Sequence, residues 1–356
     1  MLNSRIENLR KILEKGEALL ISDNTNRFYF SGMKSSAGHL LITQEKAYLL
    51  IDFRYFEKAK KTVSSAEVIL CEKLFAQLLE LLYKENIKTV FTESRNTTVF
   101  ELETIRKNLI DIEVVASDAL SEKIRTLRSI KSENEIKSIK KAQKLTDETF
   151  SYILNKIKAG VCEKEIMLDM EFFIRKNGSE GIAFDFIVVS GKNSSLPHGV
   201  PTDKKIENGD FITMDFGAVV EGYRSDMTRT VAVGEITEKQ RLVYDTVLKA
   251  QELALNAIKP NVKCCSVDKI ARDYIANQGF DGCFGHGLGH SVGLEIHENP
   301  ACNTRDTTLL QTGMIMTVEP GIYIENEFGV RIEDMVVVTE NGCENLTKSP
   351  KELIII

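Results

Sequence analysis

The chain has 356 residues, of which 43% are hydrophobic and 28% charged, and its formal net charge is -6. This length exceeds what one hydrophobic core usually serves and predicts two domains. The acidic balance argues against a nucleic-acid partner, which needs a concentrated basic surface. No run of about 18 or more apolar residues occurs in the sequence. This argues against a transmembrane helix and against a membrane as a partner.

The cysteines and the first twenty residues indicate the compartment. Seven cysteines are scattered without a CxxC pair, and this pattern favours reduced thiols over a disulfide framework. The opening segment MLNSRIENLRKILEKGEALL mixes charges through an amphipathic pattern and lacks the apolar stretch of a signal peptide. A cytoplasmic protein is therefore expected.

Residues 1–125 alternate helical and strand-like patterns and predict an α/β domain. The first helix is expected to bury one face, formed by Ile6, Leu9, Ile12 and Leu13. Strands are predicted at 18–22, 28–32, 39–43, 47–52, 68–70, 89–93 and 112–116.

Residues 121–135, SEKIRTLRSIKSENE, are highly charged and place the domain boundary in this segment, between residues 125 and 126. Ser132 and Glu135 form an S-x-x-E capping box, and they predict a helix that begins the second domain. Cys162 stands before the next predicted helix, where a serine or threonine cap is more usual.

Residues 126–356 predict an α+β domain in which helices pack on one face of a mostly antiparallel sheet. Helices are predicted at 163–177, 237–258 and 266–277, the second with a capping box of Thr237 and Gln240. Strand patterns follow at 186–191, 210–220, 223–233, 314–324 and 330–339.

Two aspartates in the segment ITMDFGAVVEGYRSDMTRTVAV point to a bound cation. A hairpin turn centred near Val220 and Glu221 would place Asp215 directly opposite Asp226. Like charges in that position destabilise a sheet unless a cation lies between them. The alternative is an edge hairpin whose aspartates lie in water.

The same anomaly recurs at Glu319 and Glu333, which also interrupt strongly apolar strands. A salt bridge between Glu333 and Arg331, two residues earlier, is the structural alternative for one of them. Four such carboxylates, together with the histidine-rich segment GHGLGHSVGLEIHENP at 285–300, favour a dinuclear site with mainly oxygen ligands.

Five motifs in order make the chain resemble the proline-specific pita-bread metallopeptidases, the family of Xaa-Pro aminopeptidases and prolidases. They are SGKNSSLPHG, DFGAVVEGYRSDMTRT, GHGLGHSVGLEIHENP, TVEPGIY and VRIEDM, and NRFYFSGMKSSAG and IDFRYFEKA resemble the N-terminal signatures of the family. The resemblance implies a creatinase-like α/β domain over residues 1–125 and an α+β pita-bread catalytic domain over residues 126–356.

The resemblance also implies the site residues. The metal ligands would be Asp215, Asp226, His290, Glu319 and Glu333, with Asp226 and Glu333 bridging two divalent ions. Manganese is expected, with cobalt, zinc or iron as alternatives. His198, His286 and His297 would face the substrate, His297 as a donor to the developing oxyanion and Glu319 as a proton shuttle, while Arg331 and Tyr323 would orient neighbouring groups. His39 is left as a structural residue.

The expected activity is release of the N-terminal residue from short peptides with proline second, and a homodimer is the expected assembly. In some prolidases of the family an arginine after the His-Glu-x-Pro turn holds the substrate carboxylate. Here that position is Ala301, and Arg305 lies four residues further on, so an aminopeptidase is favoured over a dipeptidase. A methionine aminopeptidase of the same fold and a non-catalytic binding module are the competing hypotheses. The first normally lacks the large N-terminal domain, and the second normally lacks ligands that this chain retains.

Overall fold

The computed structural model describes residues 2–356, which divide into two compact units. The first unit ends at Arg128 and the second spans Ser129–Ile356. The boundary expected between residues 125 and 126 falls shortly before this division, inside a helix that covers Asp118–Ser129.

A six-stranded mixed sheet forms the centre of the first unit, in the order β4-β3-β2-β1-β5-β6. Its strands are β1 (Glu17–Ile21), β2 (His39–Thr43), β3 (Ala47–Ile51), β4 (Glu67–Leu70), β5 (Thr89–Glu93) and β6 (Glu113–Ser117). The helices are α1 (Leu2–Arg10), α2 (Asn24–Ser31), α3 (Phe53–Thr62), α4 (Leu74–Lys84), α5 (Val99–Asn108) and α6 (Asp118–Ser129). β1 runs parallel to β5 and antiparallel to β2, and the α/β prediction is confirmed.

The strand predicted at residues 28–32 is wrong, because this segment belongs to helix α2. Asp23 caps the helix by accepting a hydrogen bond from the backbone N–H of Asn26 at 2.8 Å. Gly32 ends it in the left-handed conformation with φ of 73°. A short aromatic run fits either a strand or a buried helix, so these end signals, rather than the apolar pattern, decide the conformation.

The segment interpreted as a charged boundary is also helical. α6 buries Leu120 and Ile124, which lie four residues apart and therefore share one helix face. In α1 the expected apolar face is only partly confirmed. Ile6, Leu9 and Leu13 are buried, but the helix ends at Arg10, before Leu13, and Ile12 is 36% exposed.

The second unit is α+β, as predicted. Its helices are α7 (Glu133–Ile153), α8 (Glu163–Lys176), α9 (Glu238–Ala257) and α10 (Cys264–Ile275), with a 3-10 turn at Gly191–Ser195 and a π turn at Ala276–Phe280. The first strands are β7 (Ile187–Ser190), β8 (Phe211–Phe216), β9 (Val219–Val220), β10 (Tyr223–Arg224) and β11 (Met227–Ala232). The remaining strands are β12 (Gly289–Ser291), β13 (Glu298–Cys302), β14 (Ile315–Val318), β15 (Gly321–Ile324), β16 (Phe328–Arg331), β17 (Asp334–Val338) and β18 (Cys343–Asn345).

Short antiparallel sheets, each covered by helices, build this unit. One sheet has the order β11-β8-β7 and another β14-β17-β18. α7 and α8 share an apolar core with the first sheet, and α9 and α10 share a core with the second. Both capping boxes are confirmed: the Glu135 carboxylate accepts from Ser132 N–H, and the Gln240 side chain accepts from Thr237 N–H, each at 2.9 Å. At the start of α8, Glu165 accepts from Cys162 N–H at 2.9 Å, so the cap retains this half despite the cysteine.

The hairpin formed by β8 to β11 has a register different from the prediction. Its turn is centred on Glu221 and Gly222, both with positive φ, so Asp215 pairs with Thr228 and not with Asp226. Because Thr228 lies two residues after Asp226, the two aspartates are diagonal neighbours on one face of the hairpin.

Two findings concern the chain as a whole. No helix within residues 2–356 has the length and apolar character needed to cross a membrane. The seven cysteines, all within the described residues, are free thiols, as predicted.

Candidate metal centre

Three carboxylates converge where strands of the second unit end. Asp215 lies in β8, Asp226 directly precedes β11, and Glu333 lies between β16 and β17. One carboxylate oxygen from each lies within 4.8 Å of the others. The diagonal placement in the hairpin therefore still brings the two aspartates together, with Glu333 as the third member.

His290 and Glu319 complete the group. The Nε2 atom of His290 lies 3.6 Å from Oδ2 of Asp226 and 3.4 Å from Oε1 of Glu319. Thr317 connects the two residues, since its hydroxyl donates to Glu319 at 3.1 Å and accepts from the His290 backbone N–H at 2.9 Å. All five residues expected as metal ligands are thus brought to one place.

Two oxygen atoms of this group indicate that a cation belongs here. Within residues 2–356, Oδ1 of Asp215 and Oε1 of Glu333 are buried and have no hydrogen-bond partner. A buried unsatisfied carboxylate oxygen is costly unless a cation binds it. The oxygen-rich donor set with one imidazole fits divalent ions such as Mn²⁺, Co²⁺, Fe²⁺ or Zn²⁺.

The electrostatics of the metal-free site support the same conclusion. Burial, followed by the charges of the neighbouring carboxylates, raises the pKa of Asp226 and of Glu333 well above the ordinary value. Burial raises the pKa of Glu319 to about 8, although the nearby Arg331 opposes the shift. Like charges this close cannot all be ionised without a compensating cation.

The imidazole of His290 has the form that a metal ligand requires. Burial lowers its pKa to about 4, so the ring is neutral at pH 7. Its Nδ1 atom lies 3.1 Å from the Ser291 carbonyl oxygen, which accepts a hydrogen bond and thereby places the ring proton on Nδ1. The lone pair of Nε2 then faces Asp226 and Glu319.

We expect divalent metal binding to the metal-free protein at pH 7 to release protons, because Glu319, with a pKa of about 8, must ionise to become a ligand. Calorimetric titration with MnCl₂ in two buffers of different ionisation enthalpy measures this release.

The stability of the metal-free protein should follow the same linkage. The folded-state pKa of Glu319 lies above the value of about 4.3 for an unfolded chain. The stability that Glu319 contributes is therefore fully present at pH values below about 4.3. This stability is lost as the pH rises from about 4.3 through about 8. The melting temperature of the metal-free protein should therefore fall between these two pH values. The metal-loaded protein is the control and should change less. Equal pH dependence of the two forms would contradict the assignment of Glu319.

Arg331 binds Asp215 rather than Glu333. Its Nη2 atom lies 2.6 Å from Oδ2 of Asp215, its Nη1 donates to the Tyr323 hydroxyl at 2.8 Å, and its Nε donates to Thr228 at 3.1 Å. The salt bridge to Glu333 offered as the structural alternative is therefore wrong. Arg331 fixes the orientation of Asp215 from outside the cluster.

A large cavity opens beside the cluster, with a volume of about 1210 Å³. His198, His286 and His297, the three histidines expected to face a substrate, line it together with the five clustered residues. The ring of His297 packs edge-on against His290, with centroids 4.5 Å apart. His286 bonds to the Tyr323 hydroxyl at 2.9 Å, and burial lowers the pKa of His286 to about 4. The cavity thus joins the cluster to the neutral imidazole of His286.

Thr228 orients Glu333 and was not identified from the sequence. Its hydroxyl donates to Oε2 of Glu333 at 2.8 Å, and it accepts from Arg331. Its position two residues after Asp226 on the same strand face was the available signal.

Glu163 positions the segment that carries His198. This glutamate is fully buried, and its carboxylate accepts from the Ser190 N–H at 2.7 Å, from the Asn193 amide at 3.1 Å and from the Thr202 N–H at 2.9 Å. It therefore ties both ends of the segment together. As an ordinary glutamate in the first turn of a helix, it gave no sequence signal of this role.

A buried ion pair supports the segment that carries His297. Lys131 donates to the Ser291 hydroxyl at 2.8 Å and to Glu298 at 3.3 Å, and the Glu298 carboxylate also accepts from the Leu294 N–H at 2.9 Å. Because Lys131 lies far from this segment in sequence, only the fold reveals the pair.

Comparison with known proteins assigns both units to families. The model of metallopeptidase family M24 matches residues 137–340, and that of the creatinase/prolidase N-terminal domain matches residues 5–130. An Xaa-Pro dipeptidase of Pyrococcus horikoshii is 40% identical over 99% of this chain and 99% of its own.

Solved structures give the same result. An Xaa-Pro dipeptidase from Bacillus anthracis is 40% identical, with a TM-score of 0.96 over 100% of both chains. An X-Pro aminopeptidase from Thermotoga maritima is 37% identical, with a TM-score of 0.92 over 98% of this chain and 99% of the other. The fold is therefore shared with enzymes of both names.

Proposed function

Because this chain belongs to metallopeptidase family M24 and carries a creatinase/prolidase N-terminal domain, we propose that it hydrolyses the Xaa-Pro bond at the amino terminus of short peptides. The observation that carries this proposal is the five-residue cluster of four carboxylates and one neutral imidazole beside a peptide-sized cavity. Its relatives named as Xaa-Pro dipeptidases and an X-Pro aminopeptidase support the same bond specificity.

The residues that would hold the metal are Asp215, Asp226, His290, Glu319 and Glu333. Two divalent ions at such a site supply positive charge that polarises the scissile carbonyl and lowers the pKa of a water molecule. The expected manganese, the homodimer and the cytoplasmic location stay predictions.

The side chains around the cluster would have different roles in the hydrolysis. His297, exposed at the cavity wall and in ring contact with His290, would donate a hydrogen bond to the oxyanion that develops on the scissile carbonyl. Glu319, which lines the cavity at the edge of the cluster, would carry a proton to the leaving proline nitrogen. Arg331 and Tyr323 would hold Asp215 and His286 in place.

The cavity favours an aminopeptidase over a dipeptidase. Its volume of about 1210 Å³ exceeds the range of about 300–1,000 Å³ that is usual for small-molecule sites, so it has room for residues beyond the proline. Ala301 lines it at the position where an arginine would hold a dipeptide carboxylate.

Arg305 favours the dipeptidase as a second candidate. It lines the same cavity, is exposed, and forms no ion pair within residues 2–356. By contrast, Arg331 and Arg272 in the cavity wall are bound to Asp215 and Asp268. A free guanidinium beside the proline side of the site is suited to bind a terminal carboxylate.

We expect the metal-loaded enzyme to cleave an Xaa-Pro dipeptide no faster than the same dipeptide extended by two or three residues, as judged by kcat/KM. A tenfold preference for the dipeptide, about 1.4 kcal/mol in the transition state, would instead assign a dipeptidase. Arg305→Ala should then abolish the preference, and Arg305→Lys, which keeps the charge without the bidentate geometry, should retain part of it. If neither peptide is cleaved by the metal-loaded protein, the proposed Xaa-Pro activity is wrong.

A further inference from the structure

A second cavity lies within the first unit, far in sequence from the metal ligands, and has a volume of about 520 Å³. It is bounded by the residues that follow β1 and β5 and by the first residue of β2. β1 and β5 are parallel neighbours, and the chain continues from β1 towards β2 on one side and from β5 towards β6 on the other. A crevice at the carboxyl ends of two such strands is the place where open α/β sheets bind ligands.

One unsatisfied polar side chain lines this crevice, and another lies in β5 outside the cavity lining. His39 lines it, and its Nδ1 atom bonds to the Ser22 hydroxyl at 2.8 Å, while Nε2 has no hydrogen-bond partner within residues 2–356. Thr92 is 1% exposed, and its hydroxyl also has no partner among these residues. Thr92 pairs with Leu20, which lines the cavity, so both side chains share one face of the sheet.

The two carboxylates at the cavity disfavour an anionic ligand. Both helices that begin here have an acidic residue at their N-terminus, Asp23 at α2 and Glu101 at α5, and these occupy the positions where a phosphate would bind. Each uses one carboxylate oxygen for capping, and its second oxygen has no hydrogen-bond partner within residues 2–356. Two carboxylate oxygens are therefore available to a cation.

The basic groups nearby cannot bind an anion. Arg27 directs its N–H groups to Ser22 O, Gly38 O, Ser35 and Asn24, at distances of 2.7 to 3.2 Å. Burial lowers the pKa of His39 to about 4, so this ring is neutral at pH 7. The side chains that face the cavity thus offer negative charge and neutral acceptors.

The apolar part of the wall suits a hydrophobic or aromatic body. Leu74, Phe75 and Leu78 line one side, and Phe100 lies at the rim with 81% of its surface exposed. Aromatic faces also attract organic cations.

We propose that the first unit contains a second ligand site, between the carboxyl ends of β1 and β5, for a small organic cation with an ammonium group on an apolar or aromatic body. The ammonium binds Asp23 and Glu101, and the body lies against Phe75 and Phe100. This site shares no residue with the metal cluster, and the proposal does not depend on the peptidase activity.

Calorimetric titration of the metal-loaded full-length protein with three molecules of similar shape tests the proposal. We expect phenethylamine to bind, and 2-phenylethanol and phenylacetate to bind at least about tenfold more weakly, because only the amine carries the complementary charge. Absence of binding by phenethylamine at about 10 mM, or equal binding by the alcohol, would overturn the proposal.

Matched variants locate the binding. Asp23→Asn with Glu101→Gln keeps both caps, because Asn and Gln serve the same capping positions, and should weaken phenethylamine binding about tenfold or more. Glu57→Gln with Glu103→Gln removes the same charge from exposed positions of the same unit and should leave binding unchanged.

Wild-type affinity in the first double variant would assign the binding to another place and overturn the site. If that variant does not fold, as judged by thermal melting, Phe100→Ala replaces it, because this exposed side chain contributes little to the core. Unchanged phenethylamine affinity in Phe100→Ala would then overturn the site.

Discussion

Asp226→Ala should lower kcat/KM for an Xaa-Pro peptide by about a thousandfold or more, roughly 4 kcal/mol of transition-state stabilisation, and should reduce the bound metal. Asp226 is 4% exposed and is close to three other residues of the cluster: Oδ2 lies 3.6 Å from His290 Nε2, and a carboxylate oxygen lies within 4.8 Å of those of Asp215 and Glu333. Metal analysis by mass spectrometry, together with turnover measurements, checks both parts.

The variant should remain folded. In the metal-free protein, burial and then the charges of Glu333 and Asp215 raise the pKa of Asp226, so removal of this carboxyl group relieves repulsion instead of breaking an ion pair. Asp185→Asn is the control, because Asp185 lines the same cavity but is exposed and lies outside the cluster. Near wild-type turnover and metal content in Asp226→Ala would remove Asp226 from the site.

The sequence predicted which residues gather, but not how they are arranged. Four carboxylates in apolar strands are conspicuous because burial of an unpaired charge is costly, and this reasoning led to Asp215, Asp226, Glu319 and Glu333. The register was wrong because a shift of the turn by one residue, from Val220 and Glu221 to Glu221 and Gly222, moves the cross-strand partner of Asp215 by two positions. The conclusion survived because a shift by two keeps both aspartates on one face.

The groups that support the segments carrying His198 and His297 could not be predicted from the sequence. Glu163 and Lys131 are charged residues near helix starts, where such residues are common on any surface, and only the fold buries them behind His198 and His297. The strand prediction at residues 28–32 was wrong for a related reason. The helix α2 depends on Asp23 and Gly32 at its ends and not on the aromatic run between them. Local pattern predicts element type well only where periodicity is long.

Variants of His290 and His297 test most directly which residue is a metal ligand and which one faces the substrate. Their rings are in contact, with centroids 4.5 Å apart, yet we predict different roles for them. His297→Ala should lower kcat about a hundredfold, the usual effect of losing one donor to an oxyanion, with the metal content unchanged. His290→Ala should lose metal, because the Nε2 atom of His290 lies 3.4 Å from Glu319 and faces the carboxylates.

Each variant removes one imidazole ring, and the two rings are in contact in the structure. Each variant is therefore the control for the other. Metal content by mass spectrometry and kcat with saturating metal distinguish them, and excess metal should restore His290→Ala in part but not His297→Ala. His297 lines the cavity wall, and partial desolvation there lowers its pKa, so a neutral ring with one N–H is available to donate at pH 7. Loss of metal from His297→Ala would make His297 a ligand, and the oxyanion would then need a different donor among the cavity histidines His198 and His286.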